Sequence, residues 1–181
     1  MFTRTERLLL RPGWAEDATA LAAALGDERI VRNLAQAPWP YRRSDAEAYL
    51  GREHDPLLPS LLVFKRTDGE PVLVGGCGLG RLPSGGVQIG YWVALPFWRH
   101  GFATEAGRAV VEIARALRLP RLQGSFFLDN PASGRVLEKL GFVPTGVTAP
   151  LASRGRGCEV PASILTLELG ALADVDESLA A

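Results

Sequence analysis

From Phe102 to Leu117 the chain repeats apolar residues at helical spacing, with Ala106, Val110, Ile113 and Leu117 on one face and Arg108, Glu112 and Arg115 on another. A stripe of that width needs a sheet to cover, and strand-like runs stand on both sides of it. Before it come Arg7 to Arg11, ended by Pro12-Gly13, and then Ser60 to Lys65, Pro71 to Gly80 and Val87 to Val93, the last three separated by the turn signals Thr67-Asp-Gly69 and Pro83-Ser-Gly-Gly86. After it come Arg121 to Leu128, Phe142 to Val147 and Ser163 to Leu169. The order predicts an antiparallel meander, a helix, and further strands closing the same sheet.

The remaining helices are marked by their ends. Glu16-Asp17 open an apolar-periodic segment that runs to Leu25, where carboxylates favour the positive end of a helix. A second helix begins near Glu28 and is stopped by Ala37-Pro-Trp-Pro40. Ser44 with Glu47 reads as a capping box for a third, running towards His54. Pro131 to Leu140 is bracketed by Asn130 as N-cap and Gly141 just past its end. Arg154-Gly-Arg-Gly157 reads as an exposed loop, and the residues from Ala171 as a frayed end. The fold class expected is α+β (mixed α/β), a mostly antiparallel, splayed sheet of about seven strands flanked by about four helices.

With 181 residues, nearly half of them apolar, one domain spanning 1–181 is expected. Acidic and basic residues balance at 20 each, which gives no support to nucleic acid as the principal partner. Neither a secretory leader nor a membrane-spanning run is evident, and Cys77 and Cys158 belong to no metal-ligand spacing. These points predict a cytoplasmic protein with reduced thiols and no metal.

The informative junction is Gly90-Tyr-Trp-Val-Ala-Leu-Pro-Phe-Trp-Arg-His-Gly-Phe-Ala-Thr-Glu-Ala106, where a strand runs through a tight loop into the long helix. Helix-start amides are unsatisfied and the helix dipole adds positive charge, so an anion such as a pyrophosphate fits. Gly101 permits close backbone approach, Ala103 keeps it open, and Arg99 and His100 add donors. A plain turn without ligand fits the same residues. Gly75-Gly-Cys-Gly-Leu-Gly80 does not fit a dinucleotide fingerprint in any register, and its glycines suit a bulge or a close strand neighbour.

Trp98-Arg-His-Gly-Phe-Ala103 resembles the pyrophosphate loop of the GNAT superfamily of acyl-CoA-dependent N-acyltransferases, matching its glycine and alanine but not its usual first residue. With Thr5-Glu-Arg-Leu-Leu-Leu-Arg11 and Asp129-Asn-Pro-Ala-Ser-Gly-Arg-Val-Leu-Glu-Lys-Leu-Gly-Phe142, it is similar to the branch of ribosomal-protein alanine N-acetyltransferases. The resemblance implies acetyl-CoA as cosubstrate and an amine acceptor, a protein N-terminus or a small molecule. It places the acceptor-side helices at about 15–55 and the acyl-CoA core at about 87–142, and leaves a homodimer open.

By the same resemblance, Arg99, His100, Gly101, Phe102, Ala103 and Thr104 hold the pyrophosphate through their amides. Trp92 and Val93 lie on the strand that pairs with pantetheine, and a splay towards the strand from Arg121 makes room for it. The Val93 N–H is the candidate oxyanion donor, and Ser133 falls where the related branch has a serine proposed as the acid for the thiolate, or else helps to cap the same turn; the position that often carries a tyrosine in the wider family is Leu137. Asn130 is a candidate cofactor contact, a helix cap, or both. No motif fixes a base: Glu53 and His54 are conceivable, and Glu105 suits a structural role. Trp39 is an acceptor-pocket wall or a core plug, and Arg154 and Arg156 meet an anion or solvent. A binding domain without turnover is the alternative from another class.

Overall fold

The computed structural model describes residues 1–170 except His54, so the expectations for His54 and for a frayed end from Ala171 lie outside the described residues. A short strand β1 (Thr3–Arg4) and β2 (Leu8–Arg11) lead to a 3₁₀ turn at Ala15–Asp17 and the helices α1 (Ala18–Ala24), α2 (Glu28–Val31) and α3 (Arg43–Leu50). The meander follows as β3 (Ser60–Lys65), β4 (Val72–Arg81) and β5 (Val87–Val93). Then come α4 (Phe102–Ala116), β6 (Arg121–Phe127), α5 (Pro131–Lys139), β7 (Val143–Ser153) and β8 (Cys158–Glu168). One eight-stranded sheet runs in the order β1-β2-β3-β4-β5-β6-β8-β7. The strand beyond the seven expected is the two-residue β1, too short to leave a period in the sequence.

Alternation along β3 sends Leu61 and Val63 to one face and Leu62 and Phe64 to the other. The first face buries Phe102, Ala106, Val110 and Ala114 of α4 and Leu137 of α5; the second buries Ala18, Leu21, Ile30 and Ala46 of the early helices. Both faces are therefore covered, and the apolar stripe of α4 faces the sheet as its period requires.

The early helices differ from expectation in their ends. The Asp45 carboxylate accepts the Arg42 N–H at 2.8 Å, so α3 starts at Arg43 and not at a Ser44 cap, and it ends at Leu50, before His54. In the same way Asp17 accepts the Trp14 N–H at 2.7 Å while both its oxygens meet the Arg11 guanidinium at 2.7 and 2.8 Å. In β4 the glycine run is a matter of space: a Cβ on Gly75 would lie 2.3 Å from the Trp92 carbonyl oxygen. The β3–β4 register shifts at Val63/Phe64 and skips Val74, so the bulge falls just before the run and the glycines themselves serve close approach.

Candidate active site

All neighbouring strands pair antiparallel except β5 and β6, which run parallel and register only at Gln88↔Gln123. Beyond that pair the two strands part, leaving one edge of Gly90–Val93 without a strand partner. Ala94 donates its N–H to the Val74 carbonyl of β4 at 2.8 Å, so by alternation Val93 and Tyr91 turn their N–H groups away from β4 into the gap. The Val93 carbonyl accepts the Trp98 indole N–H at 2.7 Å, which ties the loop after β5 to the strand end.

The chain then reaches α4 through Arg99 at φ 65° and Gly101 at φ 79°. Left-handed backbone at Gly101 is what lets the helix start directly at Phe102 with its first amides outward. A Cβ at Gly101 would meet only the Arg7 guanidinium, at 3.6 Å. Phe102 is buried, so only its backbone is available to a ligand, whereas Arg99 and His100 are exposed. His100 uses Nδ1 on the Trp98 carbonyl at 2.9 Å and stacks on Phe102 at 5.8 Å.

Glu105 braces this helix start. Its carboxylate accepts the Thr5 hydroxyl at 2.6 Å, the Arg7 N–H at 3.0 Å and the Arg7 Nε at 2.7 Å, while the Arg7 Nη1 donates to the His100 carbonyl at 3.1 Å. Burial alone would raise its pKa, but the hydrogen bonds from Thr5 and Arg7 outweigh that and hold it below the usual carboxylate value. Thr5 and Arg7 belong to the N-terminal motif noted in the sequence, and their task here is to hold the loop.

A cavity of about 480 Å³ passes between the early helices and the β5–β6 gap, with Trp92, Asn130 and Ser133 in its lining. Val93 and the 98–104 loop lie beyond that lining, at the helix start that follows β5. Asn130 makes no side-chain bond to α5, so it precedes the helix without capping it. Its backbone carbonyl instead accepts the Ser133 N–H at 3.1 Å.

Ser133 meets a partner that sequence reasoning missed. The Tyr91 hydroxyl donates to the Ser133 carbonyl at 2.7 Å and lies 2.8 Å from Ser133 Oγ. Burial pushes the Tyr91 phenol above its ordinary value, and the hydrogen bond to Ser133 offsets this only in part. Opposite Tyr91 in the ladder is Cys77, whose thiol burial pushes up to about 12. A thiol so reluctant to ionise is a poor acyl acceptor, which disfavours an acyl-cysteine route.

The lining contains two arginines, Arg52 and Arg154, one aspartate, Asp45, and no lysine, glutamate or described histidine. Glu53 is exposed and outside this lining, and Trp39 is 40% exposed, neither wall nor core plug. Arg156 is not simply solvated: its guanidinium grips both Asp129 oxygens at 2.7 and 2.9 Å and donates from Nε to the Arg32 carbonyl at 2.6 Å. Ser153 Oγ donates to the carbonyls of Arg32 and Leu34 at 3.1 and 3.3 Å. The β7–β8 turn is thereby fastened to the segment after α2, and together they wall one end of the cavity.

Among the described residues no helix is long and apolar enough to cross a membrane, and no cluster of metal-ligating side chains is present. Residues 7–143 match the family described as acetyltransferase (GNAT) domain. The chain is 31% identical over 151 residues to the uncharacterized N-acetyltransferase YoaA of Bacillus subtilis (strain 168), covering 79% of this chain and 83% of the relative. Among solved structures it is similar to a GNAT-family acetyltransferase from Bacillus anthracis, with a TM-score of 0.78 at 20% identity, covering 93% and 99% of the two chains. It is also similar to a ribosomal L7/L12 alpha-N-protein acetyltransferase solved with coenzyme A, with a TM-score of 0.72 at 16% identity over 93% and 98%.

Proposed function

The chain belongs to the GNAT family and is an acetyl-CoA-dependent N-acetyltransferase, and from that premise we propose that it acetylates a primary amine by direct attack on the thioester, using the β5–β6 gap as the site of transfer. The observation that carries the reading is the unpaired edge of Gly90–Val93, continuous with the helix start at Gly101 and opening on the cavity. An extended amide-bearing arm is suited to that edge as a strand would be, and a pyrophosphate to the amides of residues 99–104. Residues 15–55 then form the acceptor side and 87–142 the cosubstrate side of one transferase unit.

In this reading the uncharged amine attacks the acetyl carbonyl carbon, and the Val93 N–H stabilises the oxygen as it becomes an oxyanion. Collapse breaks the carbon–sulfur bond, the thiolate takes a proton from Ser133 Oγ, and the serine regains one from solvent as the amide and coenzyme A leave. Tyr91 is a positioning residue for that proton. When its hydroxyl donates to the Ser133 carbonyl, Ser133 Oγ–H points back at it; when it donates to Oγ, the serine proton is free for sulfur. Asp45, the one carboxylate in the lining, receives the ammonium proton in this reading, on the oxygen that does not cap α3.

The test is thiol release from acetyl-CoA across a panel of amines and short peptides, beside calorimetric titration with coenzyme A. Turnover on amines, with kcat lowered in Ser133→Ala at unchanged coenzyme A affinity, supports the reading. Binding without turnover of any amine would favour the binding-only alternative and refute it.

A further inference from the structure

The arginines around the site fall into two groups. Arg7 is neutralised by Glu105 and Arg11 by Asp17, while Arg32 and Arg156 share Asp129. Arg52 and Arg154, two exposed residues of the cavity lining, have no ion pair among the described residues. The Arg52 side chain and the Arg154 backbone are nevertheless held in place. The Arg52 guanidinium lies 4.5 Å from the Tyr49 ring centroid, and that phenol is fixed 2.9 Å from Ser60 Oγ. The Arg154 N–H donates to the Ala35 carbonyl at 3.0 Å, in the turn that Ser153 and Arg156 fasten down.

Two unneutralised guanidiniums in the lining of one cavity favour an anion with planar oxygens. The same lining offers a single carboxylate, Asp45. An acceptor that is a cation at one end and an anion at the other meets the opposite charge on each. Resting on the transferase reading above, we infer that the acceptor is a small primary amine that also carries a carboxylate or phosphate group, bound by Arg52 and Arg154. Neither wall belongs to the motifs that resemble known acetyltransferases, so this selectivity is a property of the chain's own acceptor side.

The experiment compares acetylation of matched amines that differ only in that group: free amino acids against their carboxamides, and phosphoethanolamine against ethanolamine. Peptides with a neutral or an acidic second residue form a third arm. The anionic member of a pair is expected to show kcat/KM at least about tenfold higher, and Arg154→Gln and Arg52→Gln to remove that preference through KM while coenzyme A affinity is unaffected. The amino-acid and phosphate arms say which oxyacid is taken, and preference confined to acidic peptides would overturn the small acceptor. Equal turnover within pairs, a preference that survives both substitutions, or a loss of coenzyme A affinity in either variant would overturn the inference while leaving the transferase reading standing. Absence of turnover on every amine would instead sink that reading, and the inference with it.

Discussion

Tyr91→Phe removes one oxygen atom and, on the reading above, the group that sets the direction of the Ser133 proton. The phenol makes two contacts on the same residue, 2.7 Å to the Ser133 carbonyl and 2.8 Å to its Oγ, and the ring itself packs against the core. Phenylalanine fills the same volume, so the loss is confined to those bonds. Losing a hydrogen bond to the proton donor is worth about 1–1.5 kcal/mol, or roughly a five- to tenfold drop in kcat. The assay is thiol release at saturating acetyl-CoA, in the parent, each single variant and the Tyr91→Phe/Ser133→Ala pair. Because Tyr91 acts through Ser133, it adds little once the serine is gone, and the double variant is expected to match Ser133→Ala. An unchanged kcat, or the same further drop on top of Ser133→Ala, would refute the arrangement. Burial also raises the Tyr91 pKa above the ordinary 10.0, so its contribution to stability is complete below that pH and fades only as alkali rises past it.

Gly101→Val places a β-branched residue at φ 79° with only Arg7 nearby, so a folded protein about 2 kcal/mol less stable, with coenzyme A binding lost, is expected by thermal melting and calorimetry. Retained affinity would exclude the loop from the site. Asn130→Ala should change stability by less than about 0.5 kcal/mol, since no cap is lost, while weakening coenzyme A by about fivefold. Unchanged affinity would remove Asn130 from the cosubstrate set. Glu105 has its pKa lowered, so its clamp is intact above the ordinary 4.5 and is lost as pH falls below it; the melting temperature should drop there, and less steeply in Glu105→Gln.

What the sequence made legible is what its punctuation brackets. Ser60–Lys65 and Val87–Val93 run as expected because turn residues delimit them, and α4 because its stripe has one period. β7 and β8 run well beyond the expected segments, across Pro150 and Pro161, residues that disfavour a strand in sequence. The edge position of β7 needs few of its N–H groups, and Pro150 pairs directly with Pro161. The cap of α3 was misplaced because Asp45 competes with Ser44 for the same helix start. Within the site, the loop and the Asn130–Ser133 turn are local and readable. Tyr91 with Ser133 and Arg156 with Asp129 are contacts across 42 and 27 positions, which no local pattern records.

The single registered pair between β5 and β6 means that the two halves of the sheet are an unfinished structure which the proposed cosubstrate completes. Its pairing edge is the pantetheine arm, and that arm is the same before and after the acetyl group has gone. Coenzyme A should therefore compete directly with acetyl-CoA, so that at saturating levels the ratio of the two sets the enzyme's pace.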